Sequence, residues 1–315
     1  MAKAVIVYLS RTQDIPVLLR SLSLLCKNLS VIHKYPIVIF HDDINKINQA
    51  NIRLRVHQNV GFIPNIRFEE IRFQHPGSLD ANMFDSAVPL TQFGMGYRHM
   101  CRFFSGEFYS HPAMTSYQYY WRLDSDSYLL SKIDFDPFEY MEKNQYQYAF
   151  MAEEDKDNPI AAIDFWKHTK QFLVSNNIKS DVLEKRLVDG EWDYSLYYNN
   201  FQIGNFDFWR SDKYQNFYQH MDKTNNFYYK RWGDHIMQWM AVKMFLPEDA
   251  VWCVKNIAYQ HNDWVKNLAC LPNKQPDDDT MSFVEGTDTT GRRGRLLYAI
   301  NRYRQTGIDG VNWND

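Results

Sequence analysis

The chain has 315 residues, a formal net charge of -3, 45% hydrophobic and 16% aromatic content. That length and apolar fraction can bury a large core, as one big domain or two fused ones, which excludes a disordered or fibrous chain. With only local basic clusters there is no electrostatic footprint for general nucleic-acid binding, so small molecules and glycans are the expected partners.

Ala4 to Leu9 is an apolar run too short for a membrane span and without a cleavage site, and it reads as the first core strand. Ile15, Leu18, Leu19, Leu22 and Leu25 recur at helical spacing and predict a helix over Ile15 to Lys27. A second strand, Ile37 to Phe40, ends in His41-Asp42-Asp43, and Ile44 to Leu54 reads as another helix. This β-α-β opening looks doubly wound and fit to hold a nucleotide. It carries no G-x-G-x-x-G or Walker pattern, so a bound diphosphate needs charge neutralisation from a metal or from basic side chains.

The strand-like run Tyr119-Tyr120-Trp121-Arg122-Leu123 is cut off by Asp124-Ser125-Asp126. Two carboxylates at i and i+2, where a strand gives way to a turn, can both swing to the carboxyl edge of a sheet and offer hard oxygen ligands to a divalent cation. Asx turns and helix caps are the structural alternative for such a pair. Farther on, Asp136 before Pro137 reads as an N-cap, which makes Asp134 and Asp136 structural. Tyr146 to Met151 reads as a strand, Glu153 to Pro159 as an exposed acidic loop, and Ala162 to Val174 as a helix. Ser175 to Trp192 is charged and weakly periodic, which suggests a mobile segment.

Polar and aromatic residues alternate from Tyr197 to Trp209, placing Asn200 and Gln202 on one face, with Gly204 marking a bend or a close approach of backbone to ligand. Asp234 is placed as the N-cap of an apolar helix running to Phe245, a role in balance with a catalytic one. His261 closes a short strand, Ile257 to Gln260, and is a satisfied polar residue or a metal ligand. Cys26, Cys101, Cys253 and Cys270 form no Cys-x-x-Cys pair and no zinc spacing, so they read as buried thiols. The sequon at Asn28-Leu29-Ser30 is expected to go unused.

The ordered set of motifs resembles the fungal Golgi α-1,2-mannosyltransferase family, retaining enzymes that transfer mannose from GDP-mannose with manganese. The resemblance runs from Val5 to about Trp264. It is carried by Leu9-Ser10-Arg11, the segment Gly96-Tyr97-Arg98-His99-Met100-Cys101-Arg102-Phe103-Phe104-Ser105-Gly106, Tyr120-Trp121-Arg122-Leu123-Asp124-Ser125-Asp126, Asn200-Phe201-Gln202-Ile203, Arg231-Trp232-Gly233-Asp234 and Tyr259-Gln260-His261. It implies an α/β fold of glycosyltransferase type A, a mixed sheet flanked by helices. Asp124 and Asp126 then stand where the family has an acidic E-P-D-like triplet and organise metal and diphosphate. His261 matches the family's manganese-ligating histidine (Mn2+ or Mg2+), and imidazole with oxygen donors suits a borderline metal. Tyr97 matches a tyrosine at the transferred sugar, Asp234 an active-site acid near donor and acceptor, and Arg11, beside Ser10, a residue at the nucleotide end.

One departure bears on mechanism. The family has glutamate in its Asn-Phe-Glu-Ile motif, proposed there as nucleophile, and this chain has Gln202, whose weakly basic amide cannot serve as a carboxylate nucleophile. The expectation is front-face transfer with retention, the Gln202 carbonyl dipole held against an oxocarbenium-like sugar. A retaining glycosyltransferase using another nucleotide sugar (UDP- or other GDP-sugar) and a catalytically silent glycan-binding relative are the alternatives. The expected organisation is one catalytic domain over 1–270, its nucleotide-binding part about 1–130 and its acceptor-binding part about 131–270, followed by an extension over 271–315. Within that extension Gly291 to Arg304 forms a basic helix suited to docking on the protein or to peripheral contact with anionic lipid. The fungal enzymes begin with a membrane anchor and stem; no transmembrane segment is read here, and a cytoplasmic location is expected.

Overall fold

A computed structural model of the chain describes residues 2–83, 94–154, 162–262 and 264–267. The N-terminal elements are β1 (Ala4–Leu9), α1 (Ile15–Asn28), β2 (Ile37–His41), α2 (Lys46–Val60) and β3 (Ile66–Glu70). Next come α3 (Met95–Arg102), a π-helical turn at Phe103–Glu107, α4 (Phe108–Ser110), β4 (Tyr119–Leu123), β5 (Ser127–Leu129), α5 (Pro137–Lys143), β6 (Tyr148–Phe150) and β7 (Glu153–Glu154). They are followed by α6 (Phe165–Ser175), α7 (Asp181–Glu184), β8 (Leu187–Val188), β9 (Glu191–Trp192), β10 (Leu196–Tyr197) and β11 (Phe201–Asn205). The last described elements are α8 (Phe206–Arg210), α9 (Asp212–Asp222), α10 (Asn226–Tyr229), α11 (Asp234–Phe245), β12 (Val251–Cys253), β13 (Tyr259–His261) and β14 (Trp264–Lys266). Strands follow the order β12-β6-β11-β4-β1-β2-β3 in a seven-stranded mixed sheet.

The chain divides into two compact units that interleave in sequence: Met1–Val5, Ile71–Trp121 and Pro137–Val254 make one, and Ile6–Glu70, Arg122–Asp136 and Lys255 onward make the other. Strands β5, β13 and β14 form a separate three-stranded sheet in the order β14-β13-β5. The stretch from 271, with its basic residues 291–304, lies outside the described residues.

In the unit that holds the N-terminal strands, β1, β2 and β3 form a parallel ladder with Val7 opposite Val38 and Val38 opposite Arg67. Parallel strands covered on both faces read as continuous apolar runs, and every residue of β2 is buried. Helix α1 buries Leu18, Leu19, Leu22 and Leu25 as its periodicity predicts. Each fully buried leucine contributes about 1.5–3 kcal/mol relative to an exposed one. Helix α2 starts two residues later than its apolar pattern suggests, because the Asn45 side chain caps it by accepting the Asn48 amide at 2.9 Å. Gly61 ends it in the left-handed conformation, φ 80°. Asn28 donates its amide to the Leu129 carbonyl at 2.7 Å, so the sequon nitrogen is engaged in the fold. Asp136 binds Lys34 at 3.0 Å and the Tyr35 hydroxyl at 2.8 Å, a structural carboxylate as read from sequence, with Pro137 opening α5.

The other unit corrects three expectations. Glu153 is no solvated loop residue. It lies in β7, paired with β10, and accepts from Trp239 Nε1 at 2.8 Å while ion-pairing with Lys243 at 3.0 Å and Arg186 at 2.5 Å. Residues 175–192 are built into helix α7 and the β8-β9 hairpin, whose turn residues Asp189 and Gly190 have φ of 53° and 77°, the type I′ signature of an Asp-Gly pair. Gly204 makes room for a side chain rather than a ligand: a Cβ there would sit 2.6 Å from the Tyr120 hydroxyl. The Tyr197–Trp209 alternation also stops at Asn205, which caps α8 by accepting the Asp207 amide at 2.9 Å. Among the described residues no helix is long and apolar enough to cross a membrane.

Candidate active site

At the end of β4 the chain turns through Asp124-Ser125-Asp126, and local hydrogen bonds fix the turn. The Asp124 amide donates to Ser127 Oγ at 3.0 Å and the Ser127 amide returns to the Asp124 carbonyl at 3.0 Å. Ser125 Oγ donates to the Leu9 carbonyl at 3.3 Å, tying the turn to the end of β1. The antiparallel register of β13 on β5 sets His261 opposite Ser127, and Ser127 Oγ shares a 2.6 Å hydrogen bond with the Tyr259 hydroxyl. Strand pairing thereby brings the imidazole to the two carboxylates. His261 Nε2 stands 3.1 Å from Asp126 Oδ1 and 3.8 Å from Asp124 Oδ2.

Burial opposes a charge on His261, but the hydrogen bond to Asp126 and the fields of Asp124 and Asp126 outweigh it and hold its pKa above the ordinary histidine value. For Asp126 burial works the other way and is outweighed by the same hydrogen bond, so its pKa falls. Asp126 and His261 thus each favour the charged form of the other. Among the described residues no three acidic, histidine or cysteine side chains converge as a ready-made metal cage. The spacing nevertheless suits shared ligation, since donors about 2.1 Å from one octahedral ion stand about 3 Å from their neighbours. Loss of the imidazolium proton would turn Nε2 from donor to ligand, and two carboxylates with an imidazole form a set that manganese accepts.

Arg122 is the residue the sequence reading passed over here. Only 2% exposed, it donates Nη2 to Asp124 Oδ1 at 3.2 Å and holds that carboxylate in place. A charged residue inside an otherwise apolar strand run was its signal. Ser10 follows β1 directly; its amide donates to the Phe40 carbonyl at 2.9 Å, while its buried Oγ has no hydrogen-bond partner among the described residues. Arg11 is exposed, and its Nε donates to Asp14 at 2.9 Å.

The remaining sequence-predicted residues lie in the other unit. Tyr97 and Cys101 are one turn apart on α3, and Arg231 sets its guanidinium carbon 5.2 Å from the Tyr97 ring centroid, with Nη2 3.4 Å from the Tyr97 hydroxyl. The adjacent Cys101, burial and Asp234 push the Tyr97 phenol pKa far up against the opposing pull of Arg231. Arg231 is left-handed, φ 56°. Such strain in a non-glycine residue is kept only when neighbours enforce it; here Trp232 does so, donating its amide to the Asn226 carbonyl at 3.2 Å and Nε1 to the Ile163 carbonyl at 2.8 Å.

Asp234 is not the N-cap expected from sequence. Gly233 is the cap, and Asp234 takes the first helical position of α11, where the helix dipole favours a carboxylate. It is 2% exposed and accepts from Asn199 Nδ2 at 2.7 Å. Gln202, in β11, is fully buried, and its Oε1 accepts from the Tyr148 hydroxyl at 3.2 Å. Its carbonyl is therefore held by a phenol, while Nε2 has no hydrogen-bond partner among the described residues.

Residues 1–278 match the family described as glycolipid 2-alpha-mannosyltransferase. The chain belongs to that family. Probable mannosyltransferase MNT3 of Candida albicans is 39% identical over 198 residues, covering 58% of this chain and 50% of that protein. O-glycoside alpha-1,2-mannosyltransferase homolog 4 of Schizosaccharomyces pombe is 28% identical over 312 residues, covering 82% and 69%. O-glycoside alpha-1,2-mannosyltransferase omh1 of the same yeast is 37% identical over 176 residues, covering 52% and 43%. The chain thus spans from 43% to 69% of the length of these relatives. Among solved structures, core-mannan synthase A (CmsA/Ktr4) from Aspergillus fumigatus, in an Mn/GDP form, superposes with a TM-score of 0.77 at 23% identity over 86% of this chain and 77% of that one. The mannosyltransferase Ktr4p from S. cerevisiae in complex with GDP gives 0.77 at 24% identity over 88% and 78%. These likenesses establish the mixed α/β fold of glycosyltransferase type A. In this member of the 2-alpha-mannosyltransferase family, Asp124, Asp126 and His261 form one cluster, and Tyr97, Cys101, Arg231 and Asp234 form another.

Proposed function

We propose that the chain is a metal-dependent retaining α-mannosyltransferase that moves mannose from GDP-mannose to a glycan acceptor. The observation that carries the reading is the approach of His261 to both Asp124 and Asp126, at 3.8 and 3.1 Å, from a distant part of the sequence. Family membership supports mannosyl transfer, and the Mn/GDP and GDP complexes of the two similar structures support the donor and the ion.

Asp124, Asp126 and His261 would hold the cation, with Arg122 fixing Asp124. When bound, that ion supplies positive charge against the departing diphosphate. Asp234 is the acid that receives sugar hydroxyls, and Tyr97 flanks the transferred sugar. Because Gln202 is an amide, the reaction runs on one face: the C1–O bond to the β-phosphate breaks, the acceptor oxygen bonds C1 from the same side, and the acceptor proton passes to the released diphosphate. Gln202, whose carbonyl accepts from the Tyr148 hydroxyl at 3.2 Å, would hold its carbonyl dipole against an oxocarbenium-like sugar.

Release of nucleoside diphosphate from GDP-mannose and from other GDP- and UDP-sugars, with and without manganese, tests this. Slow GDP release from GDP-mannose that requires manganese, and that Asp126→Ala and His261→Ala each reduce at least about a hundredfold, is the expected result. Release from UDP-sugars alone would reassign the donor. No release from any of them would make the chain a glycan-binding relative.

A further inference from the structure

Asp234 and Gln238 are four residues apart on α11, so their side chains share one helix face. Asn199, between β10 and β11, reaches both: its Nδ2 donates to Asp234 Oδ2 at 2.7 Å and to Gln238 Oε1 at 2.9 Å. An amide nitrogen carries two protons, and both are placed. Gln238 is fully buried, and its own Nε2 donates to the Phe104 carbonyl at 3.3 Å and the Tyr109 hydroxyl at 3.2 Å. Tyr109 is in turn fixed. Its ring stacks on Trp209 at 4.9 Å with an interplanar angle of 8°, and its carbonyl accepts from Arg210 Nε at 2.8 Å. Donation therefore runs outward from Asn199, on one side to the Asp234 carboxylate and on the other through Gln238 into the packed aromatic interior, which fixes the orientation of the Asn199 amide. Reversing the Asn199 amide would set its oxygen against two acceptors.

We propose that Asn199 and Gln238 are positioning residues that hold the Asp234 carboxylate in one orientation for the hydroxyl groups of a sugar substrate. The proposal rests on the reading of Asp234 as a substrate-contacting acid given above. A carboxylate discriminates among hydroxyls by the direction of its lone pairs, and a small rotation costs rate because the reacting groups must be aligned before the transition state. Neither amide touches the sugar; both act through Asp234. Charged and titratable groups facing Asp234 are Tyr97 and Cys101 on α3, Tyr214 on α9, and Arg231 in the preceding loop.

The test combines Asn199→Ala and Gln238→Met, each alone and each together with Asp234→Asn, in assays of GDP release and of transfer to a mannoside with manganese. A crystal structure of Asn199→Ala accompanies them. With Asp234 present, each change is expected to lower kcat roughly tenfold with the donor KM changed less than about twofold; in the Asp234→Asn background each should change kcat less than about twofold. The Asp234 carboxylate should leave its present rotamer in the Asn199→Ala crystal. Equal losses in both backgrounds would mark a merely structural role and overturn the proposal, as would an unmoved carboxylate with full turnover. Asn199 is only half-buried, so its alanine variant remains decisive even if Gln238→Met does not fold. A wild-type chain that turns over no nucleotide sugar, or an Asp234→Asn variant as active as wild type, overturns the reading of Asp234 instead, and the crystal structure then decides the clamp alone.

Discussion

Gln202 is fully buried with its carbonyl on the Tyr148 hydroxyl, so glutamate there would bury a carboxylate beside a single phenol. Gln202→Glu is expected to cost about 1–3 kcal/mol in urea unfolding and to slow turnover; a large gain in kcat would show that the amide is a defect. His99 offers a pH handle. Burial, then His75 and Arg102, hold its pKa at about 4, while its Nδ1 shares a 2.9 Å hydrogen bond with the Tyr228 hydroxyl. A histidine whose pKa is depressed by folding takes up more protons when unfolded. Stability should therefore be intact above the unfolded value near 6.5 and decline as pH falls toward about 4. Urea midpoints between those limits should slope with pH in the wild type and flatten in His99→Gln. The proximity of Asp124 and Asp126 was legible at this scale because two carboxylates at i and i+2 are a local pattern. Asn199 and Gln238 were not, because their partners are remote in sequence, whereas Arg122 had its partner Asp124 only two residues away.

Strands and helices followed their periodicities where one face or both were apolar, as in β1, α1 and β2. They departed where a side chain intervened. Asn45 and Asn205 cut their elements by capping helices, and a one-residue shift made Gly233 the cap in place of Asp234. The hairpin after α7 had its Asp189-Gly190 signal in plain view, yet the surrounding charge masked it. Glu153 defeated composition altogether, since an acidic run reads as solvated until Lys243, Arg186 and Trp239 arrive from elsewhere. In β11 a Gly204→Ala Cβ would stand 2.6–2.7 Å from Tyr120 ring and hydroxyl atoms. That substitution should cost about 1–3 kcal/mol through overpacking, measured as a lower urea midpoint with unchanged slope. An unaltered midpoint would mean that the Tyr120 ring can yield.

For the molecule as a whole, a ligand that binds only the native state raises its stability by mass action. Manganese with GDP at about a hundredfold over Kd should add about 2.7 kcal/mol and raise Tm by several degrees, and EDTA should return Tm to its starting value. Absence of any shift with manganese and GDP together would remove the proposed cation and nucleotide from the site. The sequence by itself determined the class of fold and the inventory of chemistry, because periodicity and motif order are written in neighbouring residues. Only tertiary structure decided which of those residues meet: the β13-β5 register that sets His261 beside Asp126, the Tyr148 phenol on the Gln202 carbonyl, and the Asn199 amide that reaches both Asp234 and Gln238. Contacts between distant residues depend on strand register and packing, which the one-dimensional pattern does not encode.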